Sequence, residues 1–155
     1  MIVGPRIRLR RGGPYVVVGQ PRLVRLERID RGPDEKPGWR VGDTIETPRV
    51  FTLCRCGASE WKPFCDAAHS ASCPTEPSRR DRAPLPVGWQ IEGLAGPALA
   101  LKPNGPIRVV GGIPIEDEDG AAYETRDRCS LCRCGRSAAM PFCDSSHKAA
   151  GFRDT

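Results

Sequence analysis

Six cysteines and two histidines fall into two copies of one frame, Cys54-x-Cys56-x8-Cys65-x3-His69 and Cys132-x-Cys134-x8-Cys143-x3-His147. Thiolate sulfur and imidazole nitrogen are the donors that zinc and iron–sulfur sites use, so this is a metal-binding frame written twice. The copies also agree at positions that cannot ligate. Leu53-Cys54-Arg55-Cys56-Gly57 returns as Leu131-Cys132-Arg133-Cys134-Gly135, Ser59 as Ser137, and Pro63-Phe64-Cys65-Asp66 as Pro141-Phe142-Cys143-Asp144. Chance spacing does not produce that agreement.

Within each frame the donors come in pairs. Cys54 and Cys56, two apart on an extended or turning segment, can chelate one metal together, as can Cys132 and Cys134. Asp66 is placed to cap a short helix carrying Ala67, Ala68 and His69, and Asp144 to cap one carrying Ser145, Ser146 and His147. Cys65 and His69 would then face the same way across a first turn, and the two pairs suit two irons of one cluster. A helix N-terminus at the site would favour an anionic cluster. The competing reading is a Cys3His zinc site in a protein-interaction module. Zinc needs all four donors on one ion, and the usual C-x2-C knuckle is absent from both frames. A disulfide framework is opposed by the histidines locked into the spacing, by the repetition, and by the lack of a secretory pattern at the N-terminus.

The elements that must position these donors are modest. A chain of 155 residues with 17 Gly, 16 Pro and 6% aromatic residues builds a small core, so bound metal should supply part of the folding free energy. Arginine accounts for 20 of the 24 basic residues behind the net charge of +5, the lysines being Lys36, Lys62, Lys102 and Lys148. Acidic residues are interspersed among them. Arg6, Arg8, Arg10 and Arg11 mostly alternate with Ile7 and Leu9, as a half-buried strand would, and no aromatic stacking set accompanies them. The charge is therefore read as a solvated strand face that can steer an acidic protein partner, with no nucleic acid expected. No apolar run approaches the ~20 residues of a membrane span. The absence of an anchor and the arginine bias point to a bacterial cytoplasm, with a mitochondrial matrix as the alternative.

The repeat extends upstream of the ligands. At an offset of 92, the stretch from Arg6 to Pro14 lines up with Ala98 to Pro106, Tyr15-Val16-Val17-Val18-Gly19 with Ile107-Arg108-Val109-Val110-Gly111, and Leu23 with Ile115. Each half thus begins with two β-type runs joined by a Gly-containing turn, then a third short run. The frames are offset by only 78, so the first half carries 14 extra residues. They fall within about 27–48, a turn-rich stretch expected to form a surface loop. The expected organisation is a first repeat over 1–72, a Pro- and charge-rich linker over 73–92, and a second repeat over 93–155. The fold class expected is small and β-rich (α+β): a duplicated pseudo-two-fold unit, with a β-strand sandwich or cap and two cluster-binding loops, each followed by a short helix. Such a chain would be a monomer containing an internal pseudo-dimer.

The frame resembles that of the CDGSH iron–sulfur domain family (mitoNEET-like), C-x-C-x2-[S/T]-x3-P-x-C-D-G-[S/A/T]-H. Cys54, Cys56, Ser59, Pro63, Cys65, Asp66 and His69 meet it in the first copy, and Cys132, Cys134, Ser137, Pro141, Cys143, Asp144 and His147 in the second. Asn104-Gly105-Pro106-Ile107-Arg108-Val109 looks like the family's lead-in, and Gly151-Phe152 continues the likeness. The resemblance implies one 2Fe-2S cluster per motif, held by three Cys and one His, hence two clusters in a tandem member. The family's glycine is Ala67 in one copy and Ser145 in the other. Ala68 stands opposite Ser146, and Lys62 opposite Met140. Side chains around a cluster tune its potential, so the two centres are expected to differ, in a sense that these positions leave open.

Three thiolates and a neutral imidazole leave an oxidised 2Fe-2S centre with one negative charge, between the all-Cys and the Rieske types, so its potential should lie above the about −400 mV of plant-type ferredoxins. A proton competes for the histidine nitrogen, so acid should loosen the centre. Electron transfer and cluster transfer both fit. Without a nucleotide-binding glycine pattern or an acid/base set, no enzyme activity is expected; a redox or apo-acceptor protein would be the partner. Cys73 and Cys129 lack counterparts in the other repeat and are read as free or structural thiols. Trp39 and Trp89 are read as core anchors for loops, and Trp61, Phe64 and Phe142 as shields of the clusters from water.

Overall fold

The first two runs of each half form a hairpin because their apolar residues alternate. In the computed structural model, which describes residues 4–10, 13–30, 32–34, 38–55, 60–65, 91–92, 94, 96–123, 128–133 and 142–143, β1 (Arg6–Leu9) pairs antiparallel with β2 (Tyr15–Val18). Ile7, Leu9, Tyr15 and Val17 are buried while Arg8 stays exposed, the period-2 pattern of a strand with one wet face. In the second half, β7 (Ala98–Leu101) pairs antiparallel with β8 (Ile107–Val110). Both hairpins close through the same turn. Gly13 N–H donates to the Arg10 carbonyl at 2.9 Å, and Gly105 N–H to the Lys102 carbonyl at 3.0 Å.

Each hairpin gains one more antiparallel strand from its own half: β5 (Val50–Leu53) beside β2, and β10 (Arg128–Leu131) beside β8. The third runs leave for the other half. β3 (Arg22–Ile29) lies parallel to β7, and β9 (Ile115–Glu116) parallel to β1. The reversal that sends them there begins at Gly19 and Gly111, with φ of 84° and 91°. A Cβ at either would come within 2.6 Å of the Cα of Pro5 or Pro97, so only glycine fits both the dihedral and the space.

The outcome is a four-stranded sheet, β5-β2-β1-β9, and a six-stranded sheet, β10-β8-β7-β3-β4-β6, in which β4 is Gly38–Ile45 and β6 is Ile91–Glu92. One cluster joins Ile7, Tyr15, Leu23 and Leu53 of the first half to Leu99, Ile107, Ile115 and Leu131 of the second. Burying each such side chain contributes about 1.5–3 kcal/mol. Because both halves supply it, the core belongs to neither alone.

Two expectations need correction. The stretch 27–48 is not a surface loop: β4 (Gly38–Ile45) pairs antiparallel along β3, from Ile45 opposite Leu23 to Gly38 opposite Ile29. Trp39 and Val41 pack there against Val24, Leu26 and Ala100, so a second patch of apolar surface recruits a strand that the flanking Gly, Pro and Asp residues conceal. β6 (Ile91–Glu92) extends this sheet from the end of the proposed linker; 73–90 lies outside the described residues.

The α+β assignment also fails. Among the described residues every regular element is a strand and no helix occurs. Chain entering Cys65 and Cys143 is held as β-structure, with Phe64 bridged antiparallel to Leu53 and Phe142 to Leu131. The positions given to the short helices, 66–69 and 144–147, lie outside the described residues.

Candidate metal centres

Each ligand loop leaves the end of a strand and returns beside it. The Cys54 N–H donates to the Pro63 carbonyl at 2.8 Å, the Cys65 N–H to the Thr52 carbonyl at 3.2 Å, and the Phe64 N–H to the Trp61 carbonyl at 3.0 Å. With Leu53 opposite Phe64, alternation puts Cys54 and Cys65 on the other face of the bridge as diagonal neighbours. The second loop repeats this. Leu131 is opposite Phe142, and the Cys143 N–H donates to the Ser130 carbonyl at 2.9 Å. Each loop therefore brings together two cysteines eleven residues apart in sequence, one buried (Cys54, Cys132) and one half-exposed (Cys65, Cys143).

Cys56, His69, Cys134 and His147 lie outside the described residues. Among the described residues no group of three metal-ligand side chains assembles, because each described half-set holds two. Cys54, Cys65, Cys132 and Cys143 are in no disulfide. Paired thiols on one face of a closed loop are a donor arrangement that suits a thiophilic metal or an iron–sulfur cluster.

The arginine between the paired cysteines is a residue whose role the ligand spacing did not announce. Arg55, only 3% exposed, donates through Nε to the Gly13 carbonyl and through Nη2 to the Arg10 carbonyl, both at 2.6 Å. Arg133, also 3% exposed, donates from Nε to the Gly105 carbonyl at 2.5 Å and from Nη2 to the Lys102 carbonyl at 2.7 Å. The rigid guanidinium fork thus fastens each ligand loop to the turn of its own hairpin. It also holds a permanent positive charge at the root of each ligand loop. The signal was present in sequence, since the Cys-Arg-Cys triplet is repeated intact.

Two further residues were missed. The Tyr15 hydroxyl donates to the Cys132 carbonyl in a buried hydrogen bond between halves, and Arg55 lies over its ring, 5.9 Å from the centroid. Arg108 lies opposite Ser130 on β10 and donates to its Oγ at 3.3 Å. Burial pushes the Arg108 guanidinium below its ordinary range, and attraction to Cys143 opposes that.

Cys129 is buried in the shared core, opposite Val109. Burial pushes its thiol up to about 12, so it stays protonated and is a structural thiol. Cys73 lies outside the described residues. The shielding role expected of the aromatics is not what the structure places. Phe142 is fully buried and Phe64 packs against the same core, both opposite the cysteine face, because alternation sends them in with Leu53 and Leu131. Trp61 is 65% exposed, its ring 5.0 Å from that of Phe64. Trp39 packs on the second apolar cluster as a core anchor; Trp89 lies outside the described residues.

A duplicated β scaffold with exchanged strands, presenting two matched thiol-bearing loops, defines a tandem metal-binding protein. The profile of the iron-binding zinc finger CDGSH type matches residues 12–70 and 104–148. Those segments cover more than half of the chain, which belongs to that family in tandem form. No curated protein matches the sequence. Among the described residues no helix is long and apolar enough to cross a membrane.

Proposed function

We propose that this iron-binding family member holds two 2Fe-2S clusters, one on Cys54, Cys56, Cys65 and His69 and one on Cys132, Cys134, Cys143 and His147, and that it acts without catalysis of its own in electron transfer or cluster transfer. The observation that supports this best is the pairing of Cys54 with Cys65 and of Cys132 with Cys143 on matching faces of two equivalent loops. A bound 2Fe-2S cluster supplies one-electron chemistry. The chain contributes the rest. Arg55 and Arg133 hold the loops and offset thiolate charge, Leu53, Phe64, Leu131 and Phe142 root them in the core, and His69 and His147 are the donors that a proton can claim.

A redox protein or an apo-acceptor is the partner this chemistry needs. The deciding experiment follows the visible spectrum of the full chain through reduction and mild acidification, with iron, sulfide and zinc quantified. Colour with matching iron and sulfide is expected, bleaching as the pH falls. His69→Cys and His147→Cys should each remove most of the acid sensitivity of one site. A colourless protein holding zinc and no sulfide would overturn the proposal in favour of a Cys3His zinc module.

A further inference from the structure

The two loops are alike in their ligand frame and unlike in the charges beside them. Reading across the strands of the second half, Ala100 pairs with Arg108, Arg108 with Ser130, and Ser130 faces Cys143. Residues directly opposite on neighbouring strands project on one face, so the Arg108 guanidinium lies two strands from Cys143, on the cysteine side of the sheet. Its hydrogen bond to the Ser130 Oγ, at 3.3 Å, holds it in that row. It is half-buried, where a charge acts across less water than at the surface.

The corresponding row of the first half reads Arg8, Val16, Thr52, Cys65. At the place of Arg108 stands an isopropyl group. The nearest arginine of that row, Arg8, is one strand further from the ligand and is held by Glu116 at 3.1 Å, which also takes Arg6 at 3.3 Å. Arg55 and Arg133 make the same pair of hydrogen bonds to their own hairpin turns, so each site has one such charge. The first loop has its own distinguishing charge in Lys62, where the second has Met140; it is a hydrated ammonium on a flexible stem.

We infer that Arg108 is the residue that makes the two centres unequal, so that the centre on Cys143 accepts an electron at a higher potential than the centre on Cys65. The inference rests on the two-cluster reading above. One electron from an external one-electron donor adds one negative charge to a centre. The guanidinium stays protonated throughout, so this compensation moves no proton. Electrons entering at the first centre would therefore settle on the second, giving the chain a direction.

Potentiometric titration of the full chain with dithionite, followed by visible and paramagnetic resonance spectra and accompanied by iron and sulfide analysis, tests this. Wild type should titrate in two waves. Arg108→Gln, which keeps a donor for Ser130, should lower only the upper wave, changing its reduced-to-oxidised ratio at fixed potential on the order of tenfold, or about 59 mV for one electron. Arg108→Lys should restore most of it. Lys62→Met should widen the split by lowering the lower wave. Should Arg108→Gln not fold, Val16→Arg decides, and it is expected to raise the lower wave. Fully loaded protein whose upper wave ignores Arg108, or whose waves coincide, overturns this inference and leaves the two-cluster reading intact. Zinc without iron and sulfide overturns both.

Discussion

The Tyr15 hydroxyl, on the first hairpin, donates to the backbone carbonyl of Cys132, in the second ligand loop. The equivalent position in the second half is Ile107, since Tyr15 faces Leu53 and Ile107 faces Leu131. The link therefore runs one way: the first half steadies the second site, and that position offers no hydroxyl in return.

Tyr15→Phe should leave the buried Cys132 carbonyl without this donor, at a cost of about 1–3 kcal/mol. Metal release to a chelator should become biphasic, with one phase accelerated and the other at the wild-type rate. A urea melt measures the stability change. Release that speeds up equally from both sites would contradict the one-way link.

Arg55 and Arg133 each bind two hairpin-turn carbonyls through a buried fork. Replacing either by Met removes two buried hydrogen bonds, and a loss of about 2–4 kcal/mol is expected, or a fall of roughly 5–10 °C in Tm for a chain of this size. Lysine cannot reproduce a two-pronged contact. Arg55→Lys should therefore recover less than half of the loss in a thermal melt.

Gly19 and Gly111 combine positive φ with a 2.6 Å approach of a would-be Cβ to proline Cα atoms. Gly120 has a similar φ of 89° but nothing within 4 Å. Alanine at Gly120 should cost only the backbone strain, about 1 kcal/mol, whereas alanine at Gly19 or Gly111 should cost several times that. Equal urea midpoints for the three variants would show that the proline contact does not matter.

Cys129 gives the fold a basic limit. Its thiol rises from an ordinary 9.0 to about 12 on burial, so the unfolded chain gives up this proton first. The stabilising contribution is whole below pH 9 and is lost as the pH climbs toward 12. Cys129→Ala should flatten the fall in stability between these limits, relative to wild type, in denaturant melts taken across that range. A fall of unchanged steepness would assign it to other groups.

Sequence alone determined the duplicated Cys/His frame and the family it belongs to, because the frame sets particular side chains at a fixed spacing and both copies preserve them. It also determined the hairpins, since alternation in Arg6–Leu9 and Ile107–Val110 is local information. The rest was beyond it. The helices expected after Cys65 and Cys143 are not seen in a described part made of strands, and the loop expected over 27–48 holds β4. The strand pairings seen instead depend on which distant strand offers an unpaired edge, as β5 does at Leu53 to Phe64 and β3 at Leu23 to Ile45. Strand exchange between halves is likewise invisible locally: Gly19 marks a turn, yet only the fold decides that β3 leaves it for β7. The placement of Arg108 in one row with Ser130 and Cys143, with Val16 in the matching place, came from neighbouring strands lying side by side. A charge 35 residues away in sequence shares a row with Cys143 only because hydrogen-bonded strands set opposite residues next to each other.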